Sequence, residues 1–336
     1  MLLASQAFGM RHGFAKVSLD DTRHRVQVPL HEHQVRDIDF SSMSGADLIL
    51  TTSFDRTLKI CDVRTENVVV SYRLGLQGWS CEWSSTDPNQ MFCGTSNGSV
   101  LLFDLRTTTS FISKQHPRGG GPVHSLCHSR DTPLICADMG GVWGWDVAKE
   151  HTAALPIQAG ACCSVSKCQT QGYSGSAEGT PPSRFLVSTR GASLASHVVF
   201  DLSAPTPGTE WTMGSTAGGN EALGSGACGG QWRQMEPPAK GHQSLHTLSR
   251  SILWEQQGGD LLIAAGDEAS NQPWIWEAST GKVRHCLPAL RSPVLDVSVF
   301  NNDGACTQGP ASSQGQLFAA VSQGELMLYK DQSVDH

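Results

Sequence analysis

An aspartate preceded by an apolar residue returns at a fixed step in the first half of this chain. The pairs are Leu19-Asp20, Cys61-Asp62, Phe103-Asp104 and Trp145-Asp146, each 42 residues after the last. Each closes a short β-prone run: Gly13 to Leu19, Leu58 to Cys61, Val100 to Phe103 and Val142 to Trp145. Four hits in register are hard to produce by chance. A chain with this period is built by repeating one supersecondary unit that cannot bury its apolar face alone. The period leaves room for four short strands and their turns. Composition agrees: of 336 residues only 16% are charged, and 35 Gly and nine Trp accompany three Tyr. That is a chain of many turns and much buried aromatic surface, not a helical bundle.

The strands can be followed in order. Leu2 to Ser5, Gly13 to Leu19 and Arg25 to Leu30 form a partial first repeat within 1–30. Val35 to Phe40, the apolar run Leu48 to Ser53 and Leu58 to Val63 follow, separated by Phe54-Asp55-Arg56. In the next repeat Asn97-Gly98 is a strong hairpin signal, since both residues tolerate positive φ. The step then lengthens: Phe200-Asp201 comes 55 residues after Trp145-Asp146. Two Gly/Ser/Pro-rich stretches, 169–182 and 203–241, read as inserted loops. Third-strand endings at Leu19, Cys61, Phe103, Trp145, Phe200, Trp276 and Tyr329 give seven units. The expected fold is an all-β, seven-bladed WD-repeat β-propeller, a single domain over 1–336. The first blade opens at its second strand and the last ends at its third. The expectation is therefore of a propeller incomplete at both chain ends, with the missing strands upstream of Met1. A version extended upstream by about one repeat should be the more stable.

Little in the sequence argues for chemistry by the chain itself. His31-x-His33 lacks the ligand count of a zinc site, and Cys162, Cys163 and Cys168 lack the paired second cluster of a zinc finger. Gly119-Gly120-Gly121 and the Gly-rich 224–230 stretch have no Lys-Ser/Thr and open no helix, so no phosphate loop is expected. No nucleophile-elbow spacing appears, and no converging acids suggest a hydrolase. No catalytic residue and no metal site is assigned, and no cofactor is expected in this chain. The eleven Cys read as reduced, buried thiols. The formal net charge of −7 does not imply a nucleic-acid face. No run of eighteen apolar residues is present, so no helical membrane span is expected.

Binding is the remaining class. Buried backbone at a tight turn needs side-chain partners. Asp55, with His31 or His33 and with Ser53, is placed to supply them. Partners of such repeats dock on the loop-rich end of the blades, which here carries His31, His33, Arg36, Asp55, Arg56, Asp267 and Glu268. For each of these the competing role is that of a turn stabiliser.

Several stretches at non-consensus positions carry a narrower likeness. They are His33 to Ser42, Trp79-Ser80-Cys81-Glu82-Trp83, Ser96 to Arg106, Gly266-Asp267-Glu268-Ala269 and Pro293 to Val297. Together they resemble the C-terminal WD-repeat domain of the RING finger and WD repeat domain E3 ubiquitin ligases of replication stress and interstrand crosslink repair. The likeness runs from about Leu2 to Tyr329 and is interrupted by the two inserted stretches, which depart from the family. It implies a nuclear protein, with a cytoplasmic share left open. It implies a propeller that binds ubiquitination substrates, notably replication protein A. In that family a RING recruits the ubiquitin-conjugating enzyme and holds zinc, and a coiled coil follows it. This chain has neither the RING's eight ligands nor a heptad run, so any ubiquitin transfer would belong to a RING outside it. A stand-alone WD-repeat scaffold with no ubiquitin role is the alternative.

Overall fold

The recurring acid closes a turn. Asp62 Oδ1 accepts the backbone N–H groups of Arg64 and Thr65 at 2.8 and 3.0 Å. Asp104 Oδ1 takes Arg106 N–H at 2.8 Å, and Asp146 Oδ1 takes Ala148 and Lys149 at 3.1 and 3.2 Å. Each carboxylate satisfies donors that the hairpin leaves unpaired. The fourth residue beyond the acid then turns left-handed, at Glu66 (φ 62), Glu150 (φ 53) and Gly281 (φ 65), the last following Glu277. The apolar residue ahead of the acid is fully buried: Cys61, Phe103, Trp145 and Trp276 have no exposed surface. Burying a side chain of that size contributes about 1.5–3 kcal/mol.

A computed structural model describes residues 2–18, 21, 23–41, 47–116, 121–130, 132–155, 161–169, 183–191, 194–202, 232–234, 239–240, 248–256, 259–301 and 316–330. The pair Leu19-Asp20, the stretch 170–182 and most of 203–241 lie outside them. The described residues contain strands and turns and no helix, so none is long and apolar enough to cross a membrane.

The described strands pair with their sequence neighbours into antiparallel ladders that make up seven blades, the fifth and sixth running on into one sheet through a short parallel pairing of Cys168-Gln169 with Leu253-Trp254. The first holds Leu2–Phe8, Arg11–Val17 and Arg25–His31. The second holds Val35–Phe40, Leu48–Ser53, Thr57–Asp62 and Asn67–Arg73. The third holds Gly78–Trp83, Gln90–Thr95, Val100–Asp104 and Ser113–Gln115. The fourth holds Ser125–Cys127, Leu134–Asp138, Gly141–Asp146 and His151–Ala154. The fifth holds Ala161–Gln169, Ser183–Arg190 and Ala195–Leu202, the sixth Ile252–Glu255, Leu261–Asp267, Gln272–Glu277 and Val283–Cys286. The seventh holds Val294–Asn301, Gln316–Ser322 and Leu326–Lys330. This is the WD-repeat β-propeller fold, and the six expected third-strand endings from Cys61 to Tyr329 fall within two residues of the observed ones, while Leu19 lies outside the described residues.

One expectation is corrected. The stretch 203–241 is not loop throughout. Trp232–Gln234 and Ala239–Lys240 pair with Ala195–Leu202, opposite Phe200–Leu202 and Ser196–His197, as the outer edge of the fifth blade. Three residues and then two, divided by Pro237-Pro238, carry too little alternation to read as a strand.

By internal packing the described residues up to 165 form one compact unit and those from 166 on a second. Within each, the core lies between successive blades. Leu50, Ile60 and Tyr72 of the second blade pack on Trp83, Met91 and Phe103 of the third. Phe92 and Leu102 of the third meet Leu134 and Trp145 of the fourth. Trp254 and Ile275 of the sixth meet Val297 and Phe318 of the seventh.

Two further devices join neighbours. The first is a side-chain tether. Asp37 and Asp39 reach from the second blade's inner strand to the backbone N–H groups of Cys81 and Trp83, at 2.9 and 2.6 Å. Glu82 does the same for His128 N–H at 3.0 Å. The second is a size-matched seam, where the second strand of one blade meets the start of the next blade's inner strand. Thr52 faces Gly78, Gly94 faces Val123, and Gly266 faces Val294. Ser188 faces Ser251 through a hydrogen bond. A Cβ on any of these glycines would collide with the side chain opposite.

The nine described cysteines are free thiols, seven of them buried. Burial pushes Cys61 up to about 11 and Cys93 up to about 12, so both stay protonated and inert at neutral pH.

Candidate functional site

The turn between Leu48–Ser53 and Thr57–Asp62 has to reverse the chain in three residues. Asp55 does this by accepting Thr57 N–H at 3.0 Å, the Thr57 hydroxyl at 2.6 Å and Glu32 N–H at 3.2 Å. Its other partner is His31, the last residue of the first blade, with Nδ1 at 2.8 Å from Asp55 Oδ2. His31 Nε2 meets the Thr51 hydroxyl at 2.9 Å. Ser53 ties the same turn to the His33 carbonyl at 2.8 Å and accepts Asp55 N–H at 3.1 Å. Of the two histidines considered, His31 is therefore the ring partner, and His33 contributes its carbonyl. Thr51 and Thr57, which complete the network, carry no distinct sequence signal.

Burial lowers the proton affinity of His31 below its ordinary 6.5, against the opposing pull of Asp55. The ring is neutral at pH 7, with Nδ1–H donating to Asp55 and Nε2 accepting from Thr51. Burial resists ionisation of Asp55, but the hydrogen bonds from His31, Thr57 and Glu32 outweigh it and hold the carboxyl well below the usual range. The signs follow. As pH falls through 6.5, the unfolded chain takes up a proton at residue 31 that the folded chain refuses, so stability falls with pH. A second loss sets in below the ordinary aspartate value of 3.8, where unfolded Asp55 protonates first. Thermal melts at pH 7.5, 6.0 and 5.0 should show a steeper decline for the wild type than for His31→Gln. Equal slopes would mean that residue 31 takes up protons alike in both states.

Around this anchored turn lies a groove of about 540 Å³, lined by His12, Glu32, His33, Gln34, Phe54, Asp55, Arg56 and Gln77. Arg36 stands behind it. Its guanidinium lies 4.6 Å from the centre of the Trp79 ring and 5.3 Å from that of Phe54, and the two rings are 5.2 Å apart. Stacking of this kind fixes the plane of the cation and contributes about 0.5–2 kcal/mol. Arg56 is exposed and takes a left-handed conformation (φ 66), which is strained for a residue with a Cβ.

Five of the seven residues singled out from sequence thus come together in one place: His31, His33, Arg36, Asp55 and Arg56. Asp267 and Glu268 belong to the second unit. Asp267 is buried, and its Oδ2 accepts both N–H and O–H of Ser270, at 2.8 and 2.6 Å. It is a turn stabiliser, with half-buried Glu268 beside it. Sequence reasoning missed His12, Glu32, Gln34, Phe54 and Gln77 as groove residues and Trp79 as the platform. Their only signal was position, at the ends of strands that the repeat brings to one side.

Among the described residues no catalytic arrangement accompanies the groove. Ser188 bonds His197 Nδ1 at 2.6 Å in the second unit, but both are nearly fully buried and Ser251 completes the contact, which belongs to a seam. Among the described residues no cluster of three or more His, Cys, Asp or Glu could hold a metal.

The groove, the turns closed by Asp62, Asp104 and Asp146 and the seams at Gly78 and Gly94 fall in the part of the chain that one family model matches. The E3 ubiquitin-protein ligase RFWD3 WD40 domain matches residues 2–170. The chain belongs to this family. It is 27% identical over 312 residues to the E3 ubiquitin-protein ligase RFWD3 of Ailuropoda melanoleuca, covering 88% of this chain and 36% of that protein. It is 24% identical over 322 residues to the mouse protein of the same name (95% and 38%), and 25% identical over 303 residues to the human one (86% and 36%). The chain spans little more than a third of these curated relatives, at 36–38% of their length. As an RFWD3-type WD40 domain it is the propeller of an E3 ligase family.

Proposed function

We propose that this propeller is the substrate- and partner-recognition part of a RING-type E3 ubiquitin ligase that acts in the DNA damage response and interstrand crosslink repair. Its partner is replication protein A, its place of action is the nucleus, and its docking face is the groove at Arg36 and Arg56. The observation that carries this reading is membership of the RFWD3 WD40 family over a stretch that contains the whole groove. In this reading the chain binds and does not transfer ubiquitin. Zinc and the ubiquitin-conjugating enzyme belong to the RING. The propeller acts by holding a substrate where the effective concentration of its lysines near the charged enzyme is high. The physical basis of docking is a rigid frame with adaptable residues at its turn ends.

Immobilised 336-residue chain should retain purified replication protein A from solution, and salt should weaken the retention as far as the arginines contribute. No retention at low salt, with a cooperative thermal melt proving the fold, would leave the stand-alone scaffold as the better reading.

A further inference from the structure

We propose that the outer edge of the seventh blade is a strand-accepting site. It takes an extended segment of a partner protein, antiparallel to Leu326–Lys330, with apolar side chains at every second position. The site uses none of the groove's residues and stands whether or not replication protein A is the partner.

The backbone comes first. Leu326–Lys330 pairs with Gln316–Ser322 in a ladder without a register shift. Ser322 N–H donates to the Glu325 carbonyl at 2.9 Å, so by alternation the bonded pairs are Ala320 with Met327 and Phe318 with Tyr329. The N–H and C=O groups of Leu326, Leu328 and Lys330 therefore point away from the ladder, and among the described residues no strand lies on that side. A row of unpaired backbone groups is a template for another strand. No proline or bulge blunts this one, and Leu326-Met327-Leu328-Tyr329 carries no charge.

The other blades show what belongs there. The equivalent strands are Arg11–Val17, Thr57–Asp62, Val100–Asp104, Gly141–Asp146, Ala195–Leu202 and Gln272–Glu277, and each carries further antiparallel pairing on its outer side. The longest covers are Arg25–His31 and Asn67–Arg73. They bury alternate residues: Val28 is 3% exposed and Tyr72 1%, with Val26, Leu30 and Val70 packed beside them, while Gln27, Ser71 and Arg73 face solvent. Tyr329 shows what the seventh blade lacks. It stands one residue before its strand's end, as do Cys61, Phe103, Trp145 and Trp276, yet it is half-buried where those four have no exposed surface. Leu326, Met327 and Leu328 are likewise left half-buried. Pairing this edge with that of a second copy would join only five residues of each chain, well short of the roughly 1,200 Å² that a stable interface buries. A slender segment can instead seat alternate side chains on the blade, as the covers of the other blades do. Main-chain bonds then supply affinity and the alternate side chains supply choice.

The test is a random peptide library panned on the 336-residue chain and counter-selected on Leu328→Pro. Proline at 328 removes an N–H that points outward and leaves the ladder to Gln316–Ser322 intact, so L328P should melt cooperatively with its edge closed. Enriched peptides should carry apolar residues at every second position. A fluorescein-labelled winner should lose roughly tenfold or more in affinity for L328P. Two N-methylated forms of that winner, methylated at alternate residues in either phase, make the test independent of how L328P folds: one phase should abolish binding and the other should spare it. In the complex the amides of Leu326, Leu328 and Lys330 should exchange with deuterium roughly tenfold or more slowly than in the free chain. No peptide that tells L328P from wild type, winners without alternation, or equal binding of both methylated forms would overturn the proposal. So would slow exchange of these three amides in the free chain, monomeric or dimeric, since the edge would then already be occupied.

Discussion

Replacing Asp55 with alanine is expected to lower the melting temperature of the chain by on the order of 5–10 °C. The carboxylate accepts from two side chains and two backbone N–H groups, and no water can replace it without opening the turn. Its loss leaves His31 Nδ1–H only the Thr57 hydroxyl, at 3.0 Å, in a place where the ring has almost no exposure. Removing the acceptor from a buried donor costs about 1–3 kcal/mol for each group left short of a partner, and each kilocalorie shifts a domain of this kind by roughly 2–4 °C. Asp55→Asn should fall between, since an amide retains one acceptor but can set an NH2 against the His31 donor. Calorimetry on the three proteins decides the matter, and a shift under 1 °C for alanine would mean that the network adds nothing to stability.

The second large effect concerns the seam between the sixth and seventh blades. Gly266→Ala sets a methyl against Val294, colliding with its Cβ and lying 3.0 and 3.2 Å from its two methyl carbons. Neither backbone can retreat without breaking its ladder, so overpacking should cost about 1–3 kcal/mol or more. Val294→Gly alone opens a cavity and frees the backbone, and should cost a similar amount. The double variant G266A/V294G reproduces the arrangement at Thr52 and Gly78, with the side chain on the opposite partner. It should therefore be more stable than the sum of the single effects predicts, by about 1 kcal/mol or more. Denaturant melts of the four proteins give the coupling directly. Strict additivity would show that the two positions do not touch in solution.

What could be read beforehand divides along a physical line. The turn-closing acids and the buried residues ahead of them are local: a strand end and its hairpin need only residues a few positions apart, so Cys61-Asp62 and Trp145-Asp146 advertise themselves. The Asp55 turn was legible for the same reason, down to Ser53, whereas the choice between His31 and His33 was not. Both sit at the strand end, and only register decides which ring faces the turn. The seams and tethers were invisible because Asp37 and Cys81, or Gly94 and Val123, meet only when two repeats are stacked. The outer edge of the fifth blade escaped because five paired residues around two prolines look like any turn. Phe54, Arg36 and Trp79 were each visible as strand or turn residues, but their stack is a fact of three dimensions.

The tethers of Asp37, Asp39 and Glu82 have a consequence for how such a domain can change over generations. Each carboxylate grips a main-chain N–H, a group that every residue except proline supplies. The recipient blade can alter the side chain at Cys81, Trp83 or His128 without loosening the grip, so one lineage need preserve only the acceptor half of each bond. At the seams the opposite holds, since a larger residue on one partner is viable only after a smaller one on the other. Neighbouring blades are thus bound by two kinds of inheritance, one unilateral and forgiving, one bilateral and slow. Together they let a stack keep its register while three in four of its residues differ from those of its relatives, at 24–27% identity.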